Sequence, residues 1–378
     1  MQTDTGNFTG TVTFISSDGS EVKARFDDDT ALTTLTNLGL SVDTSHTPDF
    51  TTVSGNSGIE YTYGDQTATG VGDGTNGIYA AEDDLGTSYY FRGNVDNNYV
   101  YFANNWWRII RINGDGTIRM IYTGNPNDSS SQEYISTSAF NSSYNDNDNA
   151  YVGYMYGSAG SSTYADTHKN TNDSTIKEVV DTWYQNNLRS YSAYIADAIY
   201  CNDREVVNVT TNTTTYNGNG TGTNESAYAS LKRNHIDHNP TLKCTNTNDR
   251  FTTSSSLGNG ALTYPIGLIT TDEVVMGGGY AYDVNTDSYI AIANDNYYLS
   301  PKNGDYWYWT MTPLGVRSLG SDGLEESVDD VDNGVNWRCG VNNRDVAVRP
   351  VVSLVSDAIS GGDGTVGNPF YVGSAPSS

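Results

Sequence analysis

YYLSPKNGDYWYWTMTPLGVRSLGSDGLEESVDDVDNGVNWRCGVNNRDVAVRPVVSL, Tyr297 to Leu354, is the stretch against which the rest of the chain is read. It opens on an aromatic run, Tyr306 to Trp309, and closes on the apolar segment Val346, Val348, Val351, Val352 and Leu354. Polar sequence punctuated by glycine fills the middle. Aromatic and β-branched residues suit half-buried pleated strands, whereas Gly, Asn and Asp suit turns. The pattern predicts two or three buried strands holding up loops and short exposed strands, a common way to build a recognition surface. Arg317, Leu319, Glu325, Glu326, Asp329, Asp330, Asn333, Asn336, Trp337, Arg338, Asn342, Asn343 and Arg344 lie between the two anchors and are the candidate ligand-binding residues. Trp337 beside Arg338 stands out because Trp and Arg dominate interface energetics. The plainer alternative is that Trp337 packs inward and the charges solvate loops.

Composition narrows the function classes. The chain has 378 residues, enough for one large domain or two ordinary ones. Only 36% is hydrophobic, but 29 Tyr and 6 Trp supply much buried area per residue, so disorder is not expected. A net charge of −26 argues against a nucleic-acid partner, which needs a cationic surface, and suits a self-repelling extracellular surface. Cys201, Cys244 and Cys339 leave one odd thiol if a pair forms. Cys201 and Cys244 flank the most polar part of the chain, so a bridge there is expected to remove about 4 kcal/mol of unfolded-state freedom, the alternative being two buried thiols. A disulfide implies an oxidising, extracellular location. No apolar run of about 18 residues is present to span a membrane. Met1 precedes a polar segment without a signal-peptide core, so a surface anchor is expected to lie outside this chain.

Along the chain, residues 1–65 read as a small all-β, immunoglobulin-like module. A hairpin is expected from Thr9–Ser16 and Glu21–Phe26, with a second strand pair through Leu32–Leu40 and Ile59–Tyr63. Residues 66–76 read as a Gly-rich linker; GDGTNG there is a turn, since no complete calcium loop is present. Strands are expected at Tyr89–Val95 and Tyr99–Phe102. WWRIIRI and TIRMIY flank Asn113-Gly114-Asp115-Gly116 as a central, doubly covered hairpin, with Trp106 and Trp107 in the core. Asp173–Leu188 is the best helix, with capping-box spacing at Thr175 and Glu178 and a continuation through Tyr194 and Ile199. Arg204–Ser226 is Thr/Asn/Gly-rich and reads as an exposed loop, part of a polar insertion at about 202–245. A short helix is expected over Ser226–Arg233, and another over Thr271–Met276 with Thr270 and Glu273 as its capping box.

Little of this carries catalytic chemistry. His235 and His238 lack the spacing of a zinc pair and read as surface histidines, like His168. No nucleophile elbow, phosphate loop or dinucleotide fingerprint occurs. The acidic loops permit calcium but do not require it, and no cofactor is called for.

Y-W-T-M-T-P (Tyr308 to Pro313) with V-R-P-V-V-S-L (Val348 to Leu354) resembles the C-terminal part of bacterial C-type-lectin-like domains. These include the variable proteins of diversity-generating retroelements and relatives of the formylglycine-generating enzyme fold. Gly77–Val95, Asn97–Tyr122 and Tyr264–Val274 resemble the same surface-protein group of Gram-positive gut bacteria, so the likeness spans roughly 77–372. It implies an α+β, C-type-lectin-like domain at 77–378 after the small β module. It also implies a secreted or surface-displayed, non-enzymatic adhesion protein whose 314–345 face is variable and binds a protein or glycan on another cell or phage. Cys339 would then be incidental or ligand-reactive. The alternative is a structural subunit of a surface layer or filament, hence a homo-oligomer, in which strands add to a neighbour's sheet. The formylglycine-type oxidase is a third reading, but that chemistry depends on a reactive cysteine pair and here only Cys339 is available.

Overall fold

The double-Trp strand Asn105–Ile112 shows why the fold centres where it does. Every residue from Trp106 to Ile112 is buried, which demands cover on both faces. The computed structural model describes residues 10–15, 21–26, 30–51, 60–63, 66–69, 75–142, 148–212, 214–279, 281, 297–301, 306–318, 324–331 and 335–376. Among these, Asn105–Ile112 pairs with Ile118–Thr123 in register Ile112↔Ile118 and Ile109↔Met120. The turn between them is closed by Gly116 N donating to Asn113 O at 2.7 Å, with Gly116 at φ +86°, a conformation glycine adopts without strain. The first sheet runs Val351–Leu354, Ile118–Thr123, Asn105–Ile112, Thr87–Arg92, Gly77–Glu82, with Tyr99–Phe102 added on Asn105–Ile112 and Phe370–Tyr371 on Tyr99–Phe102. Its C-terminal strands therefore close on strands formed early in the chain, Val351 lying opposite Ile121.

The second sheet runs Ser136–Thr137, Ala347–Val348, Tyr308–Ser318, Ser226–Tyr228, Val206–Val207. Leu324–Val331 pairs with Tyr308–Ser318, and Val335–Gly340 pairs with Leu324–Val331. One hydrophobic core joins the two sheets and takes Ile176, Val180 and Tyr184 from the helix Thr175–Asn187. With helices also at Ala229–His235 and Thr271–Met276, the class is α+β. The Thr271–Met276 helix starts with the expected capping box, Thr270 and Glu273 each satisfying the other's backbone N–H.

Several expectations are corrected. Thr30–Asn37 is a helix, not a strand, and Ala31 and Leu35 enter the main core, so the all-β reading of residues 1–65 fails for this segment. Its stop is a Schellman motif: Gly39 sits at φ +72°, Gly39 N donates to Thr36 O and Leu40 N to Leu35 O. Gln66–Thr69 is not linker but a strand paired with Glu60–Tyr63. The hairpin Gly10–Ile15 with Glu21–Phe26 forms in register Phe14↔Val22, and its turn lies outside the described residues. Ser174, not Thr175, caps the long helix by accepting from Lys177 N, because Ser174 holds the extended position before the helix and Thr175 is already its first residue, with its hydroxyl 2.9 Å from that of Ser142. Beyond Leu188 the chain continues as a 3-10 turn, Arg189–Tyr194. Ser226–Tyr228 is a strand, and the helix expected there begins only at Ala229.

The polar segment after Cys201 is not an exposed loop. Asn202, Arg204, Tyr216 and Thr221 are buried. Asn149 Nδ2 donates to the carbonyls of Gly222 at 2.9 Å and Asn224 at 2.8 Å, so side-chain amides supply the partners that regular structure would otherwise provide. His168 and His235 are buried rather than at the surface.

Candidate functional site

Tyr308 and Ala347 are adjacent parallel neighbours in the second sheet, and Ala347 N donates to Trp307 O at 2.7 Å. The chain between them runs out along Tyr308–Ser318, adds Leu324–Val331 and Val335–Gly340 to the same sheet as a hairpin excursion, and returns beside its start. The anchors are fixed by burial and by hydrogen bonds. Trp309 Nε1 donates to Ser138 O at 2.8 Å, and Tyr308 OH donates to Leu299 O at 2.9 Å. The buried Arg349 guanidinium lies 4.7 Å from the Tyr308 ring centroid and donates to Leu299 O at 3.3 Å. Tyr306 donates to Glu133 beside them.

Most of the candidate residues fall on three paired strands of this excursion, where loops and short exposed strands were expected. Arg317 lies opposite Glu325, Val316 opposite Glu326, and Asp330 between Trp309 on one side and Asn336 on the other. Asp329, Trp337 and Arg338 share these strands. Asn342, Asn343 and Arg344 follow in a turn in which Asn343 N donates to Gly340 O at 2.9 Å. Asn342 and Arg344 are exposed and Arg317 is half-buried. Leu319 and Asn333 lie outside the described residues. Val328, Val331 and Cys339, on the excursion's own strands, are buried. Cys339 is therefore a packing residue opposite Val328, with Asn343 Nδ2 donating to its Sγ at 3.4 Å, and not a ligand-reactive surface thiol.

A second cluster escaped sequence reading. Arg111 contacts Asp83 at 2.8 Å and Glu273 at 3.0 Å, and Arg119 reaches Glu273 at 2.5 Å, all buried. Burial pushes the Glu273 carboxyl up, but the Arg119 and Arg111 guanidiniums outweigh it and hold the group below its ordinary range. Arg233 extends the network to Asp272 at 2.7 Å and Asp203 at 2.9 Å. These groups and the Cys201–Cys244 disulfide line a cavity of about 40 Å³, space for a few waters. Arg204 and Asp249 form a further fully buried pair at 2.6 Å. What the arrangement does is tie the hairpin, the capped helix and the disulfide-closed segment together. The signal was arginine inside an otherwise apolar hairpin, since a buried charge requires a partner.

Among the described residues, no group of three or more His, Cys, Asp or Glu is placed to hold a metal ion, and no helix is long and apolar enough to cross a membrane. No family model matches the chain, and neither a curated protein nor a solved structure matches it.

Proposed function

We propose that this protein is an extracellular ligand-binding protein that displays a recognition surface, residues 314–345, on a C-type-lectin-like scaffold. The observation that carries the reading is the return of the excursion to its own origin, Tyr308 beside Ala347. Two anchors buried in one core can hold geometry constant while the sequence between them changes, which is what a diversified binding surface requires. Specificity then comes from side chains such as Arg317, Asn342 and Arg344 contacting a protein or glycan, with no chemical step. The Cys201–Cys244 disulfide supports an oxidising, extracellular setting. Sequencing this gene across its source population tests the reading by comparing codons 314–345 with codons 97–122. Substitutions concentrated in the first window, with Trp309–Pro313 and Val348–Val352 constant, are expected. Equal quiet in both windows sinks it.

The filament or surface-layer reading has one observation in its favour. Among the described residues Val335–Gly340 pairs on one side only, and an open sheet edge is a template for strand addition. A monodisperse monomer at high concentration excludes that reading; fibres under negative stain favour it.

A further inference from the structure

We propose that a groove between the helix Thr175–Asn187 and residues Ile135 and Ser136, at the start of the strand Ser136–Thr137, binds a neutral saccharide, independently of the 314–345 surface. The groove holds about 480 Å³, within the range of small-molecule sites. Its helix wall is built from two adjacent stripes at four-residue spacing: Val179, Trp183 and Asn187, and beside them Glu178, Thr182 and Asn186. One stripe offers an aromatic platform and the other a row of hydroxyl, amide and carboxylate groups.

The platform is held in place. Trp183 meets Trp107 edge-on at 6.0 Å between centroids and Tyr122 at 5.7 Å, so the ring that lines the groove is braced by the core. Its indole N–H donates to no described residue. Asn187 Nδ2 donates to Trp183 O at 2.9 Å, which orients the amide and leaves Oδ1 to accept.

These groups select the ligand class. Among the lining residues Glu178 is the single charge and there is no Lys or Arg, so an anionic ligand has nothing to pair with. The electron-rich face of an indole attracts the polarised C–H face of a pyranose, and amides with hydroxyls match its alternating donors and acceptors. The wall opposite the helix is tied to the scaffold, with Ile135 N donating to Val348 O at 3.0 Å and Ser136 paired to Val348, so the site is preformed.

The test applies the full-length chain to an array of neutral oligosaccharides, then titrates the strongest binder while following Trp fluorescence. Asn186 is exposed on the helix, so Asn186→Arg fills the groove without touching the core. The expected result is binding that survives EDTA, weakens at least about tenfold in Asn186→Arg at unchanged Tm, and weakens in Trp183→Phe, which keeps an aromatic ring against Trp107. No binder on the array overturns the proposal, as does a binder unaffected by Asn186→Arg. A binder lost in Arg344→Ala instead assigns the sugar to the excursion and also overturns it.

Discussion

The buried ionic lock around Glu273 and the excursion between Tyr308 and Ala347 put charge to opposite uses. In the lock, every charge is enclosed and its position is dictated by a partner on another element: Arg111 and Arg119 on the hairpin, Glu273 on the capped helix, Asp83 on the neighbouring bend. On the excursion Arg317 is half-buried and Arg344 exposed, and Val328, Val331 and Cys339 supply apolar burial. A buried charge cannot be exchanged alone, because its partner is then left desolvated, whereas an exposed one is close to neutral for stability. The scaffold is thus specified by residues that must agree with one another, which relieves the excursion of that duty.

The sharpest way to break the comparison is Glu273→Gln. It leaves two buried guanidiniums short of a counter-charge, and a loss of about 3–5 kcal/mol is expected by urea denaturation. A loss below about 1 kcal/mol, the size of an ordinary substitution, would show that the lock does not hold the scaffold. Next in size is the disulfide. Cys201→Ser with Cys244→Ser opens a separation of 43 residues, for which chain entropy gives about 4 kcal/mol as an upper expectation. Because the enclosed segment packs through Asn202, Arg204 and Tyr216, the double variant is expected to unfold cooperatively at lower denaturant, with no separate early transition for 202–243. An independent early transition would make that segment a tethered loop after all.

A smaller effect separates buried from exposed charge by pH. Burial, with the Arg204 guanidinium nearby, pushes the His168 imidazole down to about 3, while Nε2–H donates to Gly220 O at 2.9 Å. The unfolded chain takes up this proton near its ordinary value of about 6.5, so the contribution is whole above that pH and is lost as pH falls toward the folded value. The slope is at most about 1.4 kcal/mol per pH unit for one proton. Between pH 7 and pH 5 the parent protein is expected to lose stability faster than His168→Gln, which keeps a donor for Gly220. The raised carboxyls of Asp249, Asp84 and Asp181, each dominated by burial, act in the opposite sense and cancel in the difference. Parallel curves would mean that His168 is not held neutral by the fold.

Much of the scaffold was legible because its signals are local or periodic. The double-Trp hairpin, the Thr270–Glu273 capping box and the apolar stripe of Thr175–Asn187 all announce themselves within a few residues. The helix Thr30–Asn37 also left a local signature, Leu38-Gly39-Leu40, whose central glycine makes the left-handed stop; alternation of Thr with Leu obscured it. What the sequence hides is pairing at long range. Nothing near Arg111 indicates that its partner lies at Glu273, and nothing in GNGTGTN indicates that Asn149 will satisfy its carbonyls. The stretch between the anchors read as loops and short exposed strands, since Leu324–Val331 lacks clean alternation; its pairing shifts register between Val328 and Asp330, which explains the broken period.

The smallest effect on stability bears most directly on function. Asn342→Ala with Arg344→Ala alters two exposed positions in the turn that closes the excursion, and the change in unfolding free energy is expected to stay within about 0.5 kcal/mol. Binding should respond differently. An Arg at an interface supplies a planar, multiply donating group whose truncation costs more than its area suggests, so a cell type labelled by the fluorescent parent protein in flow cytometry should lose label with the double variant. Asn343 is left intact in this design because its amide contacts Cys339 and its backbone closes the turn, so the comparison isolates surface chemistry from turn geometry. Equal labelling by both proteins, at equal stability, would place recognition elsewhere than this end of the excursion. A large loss of stability would instead show that the turn belongs to the scaffold, and the contrast between the two regions would have to be redrawn at Gly340.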